Sequence, residues 1–151
     1  RLPTEAEWEF AGRFDGARAT RKYPWGNDLP VPARAGNWAD ASAIYMVPVT
    51  ITGFDDGFRA SAPVGSFAAN PLGLHDLGGN VLEWTTDRYS IYVVGPDYLS
   101  TDPVGPKTGD SYVIRGAGWM TGKVPELRLA VRESGTAGRP DLGFRIARYA
   151  E

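Results

Sequence analysis

The hydrophobic and polar positions near the start of the chain follow the period of a short helix. Ala6 and Phe10 are four residues apart and therefore share one face of such a helix. Thr4 is suited to cap the first turn, and Glu7 stands three residues later as the partner in a capping box. The pattern predicts a helix that follows Thr4 and ends near Phe14.

β-branched and aromatic residues alternate with polar residues at several later points, mostly in the last third of the chain. Such alternation predicts short strands that are buried on one face. The predicted strands are Pro63–Phe67, Val81–Thr85, Tyr112–Ile114, Leu127–Val131 and Leu142–Ala147. Segments rich in Pro and Gly separate them and predict ordered loops. The expected class is α+β, with one or two helices, several short antiparallel strands and a majority of loop.

Composition narrows the class of protein further. The 151 residues suffice for one domain, and their 19 Gly, 12 Pro and 5 Trp favour many turns around an aromatic core over a helical bundle. The net charge of −2 is spread along the chain, which gives no basic surface for nucleic acid, and no apolar stretch is long enough to span a bilayer. The absence of cysteine excludes disulfides, thiolate metal sites and cysteine nucleophiles, but it leaves the compartment open.

Four motifs in fixed order carry a resemblance to a known family. They are RLPTEAEWEFAGR at 1–13, APVGSFAANPLGLHDLGGNVLEW at 62–84, RGAGW at 115–119 and LGFR at 142–145. Together they resemble the catalytic domain of formylglycine-generating enzyme, the sulfatase-modifying factor family. The resemblance implies a loop-rich variant of the C-type-lectin-like fold over nearly the whole chain. The family's domain has a further segment before its first helix motif, so we expect residues 1–151 to be the C-terminal portion of such a domain.

Acidic residues in two turns become candidate calcium ligands once the resemblance is considered. From spacing alone, turn formation is the favoured role of Asp55, Asp56 and Asp76, whose side chains would bind their own backbone. The resemblance instead implies one or two structural Ca²⁺ ions, held by carboxylates and by loop carbonyls. The ligands of the first ion would be the side chains of Asn37 and Asp56 and the carbonyls of Trp38 and Phe58. The ligands of the second ion would be the side chains of Asp76 and Glu83 and the carbonyls of Gly79 and Val81.

The chemistry of formylglycine-generating enzyme depends on two cysteines that this chain lacks. Those cysteines bind copper(I) and activate oxygen to oxidise a substrate cysteine, and soft thiolates suit that ion. Thr121 stands at the position of the first cysteine, Glu126 lies nearest to that of the second, and Gly118 replaces a small polar residue. Because hard oxygen donors cannot replace a thiolate pair, we expect neither copper binding nor cysteine-dependent formylglycine formation. The candidate pocket residues are Gly118, Trp119, Thr121, Glu126, Arg132 and Glu133.

Three basic or titratable residues have both a structural and a functional interpretation. Arg132 and Arg145 are expected to form ion pairs that join strands and loops. The functional alternative places Arg132 and Glu133 on a pocket floor near Thr121. His75 is the sole histidine, so packing or capping is its favoured role over a metal centre built from several histidines.

Two functions from different classes remain open. The favoured one is a calcium-stabilised binding or scaffold domain that contacts a peptide, a protein or a small molecule through the loops around 119–138, alone or as an accessory domain of a larger bacterial kinase or signalling protein. The alternative is an enzyme of altered chemistry on the same scaffold, like a cysteine-free relative implicated in periplasmic maturation of the siderophore pyoverdine. A variable display domain is disfavoured, because 116–144 contains no Asn. The compartment is unknown, with periplasm or secretion slightly favoured over cytoplasm.

Overall fold

The chain folds around a short helix and a small sheet, with long loops between them. The computed structural model describes residues 1–92 and 100–149. Its regular elements are α1 (Glu5–Arg13), β1 (Leu82–Arg88), β2 (Tyr112–Arg115), β3 (Arg132–Gly135) and β4 (Leu142–Phe144), with short 3₁₀ helices at Ala41–Ala43 and Val124–Leu127. Helix α1 has 9 residues, and none of the helices in the described ranges has the length and apolar character needed to cross a bilayer.

The strands of the described ranges form one mixed sheet in the order β3-β2-β1-β4. Strand β2 pairs antiparallel with both β1 and β3, whereas β4 runs parallel to β1. The expected α+β class is confirmed, but the expectation of antiparallel strands is wrong at β4. Because β2 and β3 intervene in the sequence between β1 and β4, the connection is long enough for parallel pairing. The register places Glu83 between Arg115 on β2 and Gly143 on β4.

Helix α1 begins as its capping pattern predicts. The Thr4 hydroxyl accepts the Glu7 N–H at 3.1 Å, and the Glu7 carboxylate accepts the Thr4 N–H at 2.7 Å. The face that Ala6 and Phe10 share is not the buried one, however, because Phe10 is 54% exposed whereas Glu5 is only 4% exposed. Glu5 turns inward because its charge is paired there, and a hydrophobic pattern cannot reveal such a partner.

Three predicted strands differ from the structure. Pro63–Phe67 forms a turn. Leu127–Val131 is the end of a 3₁₀ helix followed by a turn, and β3 starts only after it. Both leucines of that segment are 1% exposed, so their alternation signals burial rather than extended backbone. Strand β4 covers only the first part of Leu142–Ala147 and ends at Phe144.

The core of the described ranges includes three clusters of buried side chains, each with one buried tryptophan. The first contains Trp38, Tyr23, Ile51, Phe54, Ala117 and Leu127; the second contains Trp119, Ala39, Ala43 and Val47; the third contains Trp8, Leu77 and Leu129. Large aromatic side chains bury much area for few rotatable bonds. Loops without regular structure can therefore be anchored on these rings, as the composition predicts.

A buried ion network joins α1 to the sheet. Arg115 on β2 has no exposed surface, and it donates to Glu5 at 2.8 Å, to Glu9 at 2.7 Å and to the Leu129 carbonyl at 2.7 Å. Arg132 on the adjacent β3 donates to both oxygens of Glu5, at 2.5 and 2.8 Å. Buried charges persist only when they are paired in this way. The expected ion pairing of Arg132 is confirmed.

Replacing Arg115 by methionine should lower the free energy of unfolding by about 3 kcal/mol, because Glu5 and Glu9 would lose their central partner. Urea denaturation measures this change. The matched control is Arg59→Met at an exposed position, which should alter stability by less than about 0.5 kcal/mol. Equal stability of the two variants would contradict a central role for the network.

Candidate functional site

Two loops meet at the first predicted calcium site. The Trp38 N–H donates to one carboxylate oxygen of Asp56 at 2.9 Å, and the Phe58 N–H donates to the other at 2.8 Å. Asp40 completes the junction, because its carboxylate accepts the Asp56 N–H at 2.8 Å. The structure thus brings Trp38, Asp56 and Phe58 of the first ligand set into one hydrogen-bonded junction. The bond from the Phe58 N–H to Asp56 also forms the turn that spacing alone predicts.

Asn37, the fourth residue of this set, ends in an oxygen without a partner. The side chain is fully buried, and its amide nitrogen donates to the Ala60 carbonyl at 2.7 Å. Its Oδ1 accepts no hydrogen bond from any described residue. A buried acceptor without a donor costs about 1–3 kcal/mol. Because a hard cation satisfies such an oxygen, Asn37 fits the role of calcium ligand that the resemblance implies.

The electrostatics of the junction also fit a cation. The pKa of Asp56 is raised to about 6, chiefly by burial and also by the charges of Asp40 and Asp55, while the amide donors oppose the shift. The ion pairs of the described ranges include neither Asp40 nor Asp56. Asp56 is therefore costly to keep charged, and a divalent ion would relieve that cost. The pKa of Asp40 is lowered instead, because burial is outweighed by hydrogen bonds from Ser42 and from backbone amides.

The second predicted set, Asp76, Gly79, Val81 and Glu83, lines one open cleft of about 420 Å³. One oxygen of Asp76 accepts the Gly65 N–H at 2.7 Å, whereas its Oδ1 is buried and has no partner in the described chain. Asp76 therefore fits a ligand role in the same way as Asn37. Within the described ranges no group of three or more acidic, His or Cys side chains could hold a metal, so an ion at either set would depend on backbone carbonyls.

Glu83 fits a metal less well, because a guanidinium already balances its charge. Arg145 donates to each of them at 2.6 Å, and the Trp8 indole N–H donates to one of them at 2.7 Å. The expected ion pair of Arg145 is confirmed. Since Arg145 already balances the charge of Glu83, the second set is the weaker of the two candidate metal sites.

Thr121, which the resemblance matches to the first family cysteine, belongs to a tight turn. The Thr121 N–H donates to the Gly118 carbonyl at 2.8 Å, and the Gly118 N–H donates to the Thr121 hydroxyl at 3.2 Å. The Ala39 N–H donates to the Thr121 carbonyl at 3.1 Å, which ties this turn to the loop of the first calcium set. The next residue, Gly122, passes so close to Val49 that an added Cβ would overlap the Val49 carbonyl.

The other candidate pocket residues contact different parts of the structure and do not converge on Thr121. Trp119 lies in the second core cluster, and a Cβ at Gly118 would meet the Asp141 carbonyl at 3.1 Å. The ion-pair partners are Lys123 for Glu126, Arg139 for Glu133 and Glu5 for Arg132. No described hydrogen bond or ion pair joins these three side chains to Thr121. The pocket-floor interpretation of Arg132 and Glu133 therefore has no supporting contact.

His75 has a structural contact. Its Nδ1 lies 2.8 Å from the Phe67 carbonyl, which fits its expected structural role.

Asp40 is a site residue that the sequence analysis does not predict. It is fully buried and organises the first calcium set. Its local signal is a capping pattern, because its carboxylate also accepts the Ser42 N–H at 2.8 Å at the start of a 3₁₀ helix.

Comparison with known proteins identifies the family. The sulfatase-modifying factor enzyme 1-like domain matches residues 1–150. Formylglycine-generating enzyme of Bos taurus is 38% identical over 97% of this chain and 38% of its own length. A protein of Mus musculus named inactive C-alpha-formylglycine-generating enzyme 2 is 35% identical over 99% of this chain and 43% of its own length. The chain belongs to this family, and it spans less than half of these two relatives.

Solved structures share the fold. Variable protein 1 of Treponema denticola has a TM-score of 0.65 and 27% identity, over 95% of this chain and 45% of that one. PvdO from Pseudomonas aeruginosa has a TM-score of 0.64 and 22% identity, over 95% of this chain and 50% of that one. The likeness to PvdO extends to the fold alone. The relation to C-type lectins and the place of 1–151 within a longer domain stay predictions.

The close approach at Gly122 gives a stability test. Gly122→Ala should lower the free energy of unfolding by about 3 kcal/mol, because the methyl group would displace the Val49 backbone. Gly138→Ala is the matched control, since an added Cβ there meets nothing within 4 Å. Thermal melts of both variants make the comparison. A Gly122→Ala variant as stable as Gly138→Ala would show that this segment is loosely packed.

Proposed function

We propose that the chain is a calcium-stabilised binding or scaffold domain on the sulfatase-modifying framework, and that it does not catalyse copper-dependent formylglycine formation. The observation that carries this proposal is the turn at Thr121. Its hydroxyl accepts a backbone N–H within a tight turn, at the position where the family has its first cysteine. A threonine in that role supplies no soft ligand for copper(I).

The first calcium set supports the stabilising part of the proposal. Asn37 Oδ1 and the Asp56 carboxylate would bind the ion together with the carbonyls of Trp38 and Phe58. The ion would supply the positive charge that Asp56 and the adjacent Asp40 lack. It would also fasten the loop that carries Ala39 and hence the turn at Thr121. No ion is proposed at the second set, because Glu83 already pairs with Arg145.

The surface around the former cysteine segment supports a binding role. Gly122 lies against the backbone of Val49, and the preceding loop exposes large apolar side chains. Tyr45 is 92% exposed, Ile44 57% and Met46 46%. Exposed apolar side chains that cluster in one loop are typical of contact surfaces. We propose that a peptide, a protein or a small-molecule partner contacts this loop together with the loops around 119–138.

The inactive enzyme 2 of mouse supports a non-catalytic role by analogy. Its name describes a family member without formylglycine-generating activity, and it aligns with nearly all of this chain. The alternative, an enzyme of altered chemistry, is supported by the shared fold with PvdO. It would need a catalytic group other than the set Glu126, Arg132 and Glu133, since each of these has its own ion-pair partner.

Removal of calcium should destabilise the chain. An ion present at about 100 times its Kd adds about 2.7 kcal/mol to the folded state, which corresponds to roughly 5–10 °C in Tm. Scanning calorimetry with Ca²⁺ and then with EDTA measures the shift. Asp56→Ala should abolish it, while Asp55→Ala, which removes an exposed acid next to it, should retain it. The same Tm in Ca²⁺ and EDTA would refute the calcium proposal.

Copper(I) should not bind stoichiometrically, because Thr121 replaces the thiolate that this ion prefers. Competition with a copper(I) chelator under anaerobic conditions measures the affinity. In parallel, a cysteine-containing sulfatase peptide incubated with copper and oxygen should stay unoxidised by mass spectrometry. A single tightly bound copper, or formylglycine in the peptide, would refute the non-catalytic proposal without affecting the calcium result.

A further inference from the structure

A second cavity lies away from the Thr121 turn, and its wall includes Trp38, Asp76 and Gly79 of the two candidate calcium sets. It has a volume of about 320 Å³ and lies between the loop that leads to Trp38 and the turn before Leu77. This volume is at the lower end of the range for small-molecule sites, about 300–1,000 Å³. The lining side chains that matter here are Arg21, Trp25, Arg34, Trp38, Phe67 and Asp76.

Arg21 brings an unsatisfied cation to this cavity. Its Nη2 donates to the Pro24 carbonyl, whereas its Nη1 is buried and has no partner among the described residues. No ion pair of the described ranges includes Arg21. Burial lowers its pKa, and the charge of Asp15 opposes that shift. Arg21 lines the cavity without an acidic partner in the described ranges, so its guanidinium is suited to an oxyanion, and carboxylates match its planar fork.

The charge around the cavity favours an anion over a cation. Arg34 lines it together with Arg21, and Asp76 is the acidic lining residue. Two arginines against one aspartate leave the wall with a net positive charge. Arg34 also holds a left-handed backbone at φ 57°, which is uncommon for a residue other than glycine. Arg34 lines this cavity as an exposed residue.

Aromatic rings form the apolar part of the wall. Trp25 stacks on Tyr23 with ring centroids 4.7 Å apart and planes 4° apart, and it meets the edge of Trp38 at 5.2 Å. These contacts fix the position of the indole ring. Phe67 lines the same cavity. Fixed aromatic rings favour a ligand with a flat apolar body, since ring pairs gain about 0.5–1.5 kcal/mol beyond area burial.

We propose that this cavity binds a small aromatic carboxylate, with Arg21 as the anion anchor and the Trp25 indole as the wall for the ring. Two features favour the two halves of such a ligand. The positively charged wall with Arg21 favours the carboxylate, and the fixed rings favour the flat apolar body. The site is separate from the loops around 119–138, so it stands or fails independently of the partner surface there.

Benzoate and benzamide form a matched pair of probes, because they share the ring and differ in charge. In buffer with Ca²⁺, titration followed by the indole N–H signals in ¹H–¹⁵N spectra should show benzoate binding with a roughly millimolar Kd, as a ligand this small allows. Trp25→Phe identifies the Trp25 signal. Benzamide should bind at least about tenfold more weakly, which is the loss expected for one charge-assisted hydrogen bond.

Arg21→Gln should remove the preference for benzoate, while the matched control Arg18→Gln, at an exposed position outside the cavity, should retain it. Equal binding of the two probes by the unaltered chain would overturn the proposal, whatever the folding of the variants. The absence of saturable shifts with benzoate and with phenylacetate up to roughly ten times the expected Kd would overturn it too. Unchanged benzoate affinity in Arg21→Gln would exclude Arg21 as the anchor.

Discussion

The rest of the structure depends on the burial of one arginine between two glutamates. Arg115 has no contact with solvent, yet it binds Glu5 and Glu9 of the helix and the Leu129 carbonyl of a distant loop. The helix is only 9 residues long and would be marginal on its own. Pairing its inward carboxylates with β2 and β3 fixes its position on the sheet, and this position aligns the Trp8 indole with Glu83 on β1.

Beyond this network, the loops are held by polar side chains that replace regular backbone pairing. Asp56 accepts two backbone N–H groups, and Asn80 both donates to and accepts from the backbone of Ala62. Side chains that satisfy buried amides let a chain pack without strands. The exceptions are instructive, because the unpartnered oxygens of Asn37 and Asp76 lie in the two sets of residues for which the family implies a metal.

Local features of the fold were predictable from sequence, and long-range polar ones were not. The Thr4–Glu7 capping box needs only residues three apart, and the structure has it. The inward turn of Glu5 depends on Arg115, which is 110 residues away, so a helical hydrophobic pattern assigns the wrong face. Leu127 and Leu129 alternate as in a strand, but the structure places Leu127 in a 3₁₀ helix and Leu129 in a turn, and both side chains are buried. The resemblance supplied the candidate metal ligands, yet it could not show that Arg145 forms an ion pair with Glu83.

The turn at Thr121 explains physically how a framework can persist without the chemistry of its relatives. The backbone of Thr121 forms hydrogen bonds with Gly118 and Ala39, and these do not depend on the side chain. The side chain contributes only the hydroxyl oxygen that accepts the Gly118 N–H. With a threonine at position 121, Gly122 still packs closely against Val49. The packing of this segment therefore does not depend on a cysteine, and the turn holds the adjoining loops in a fixed arrangement without one.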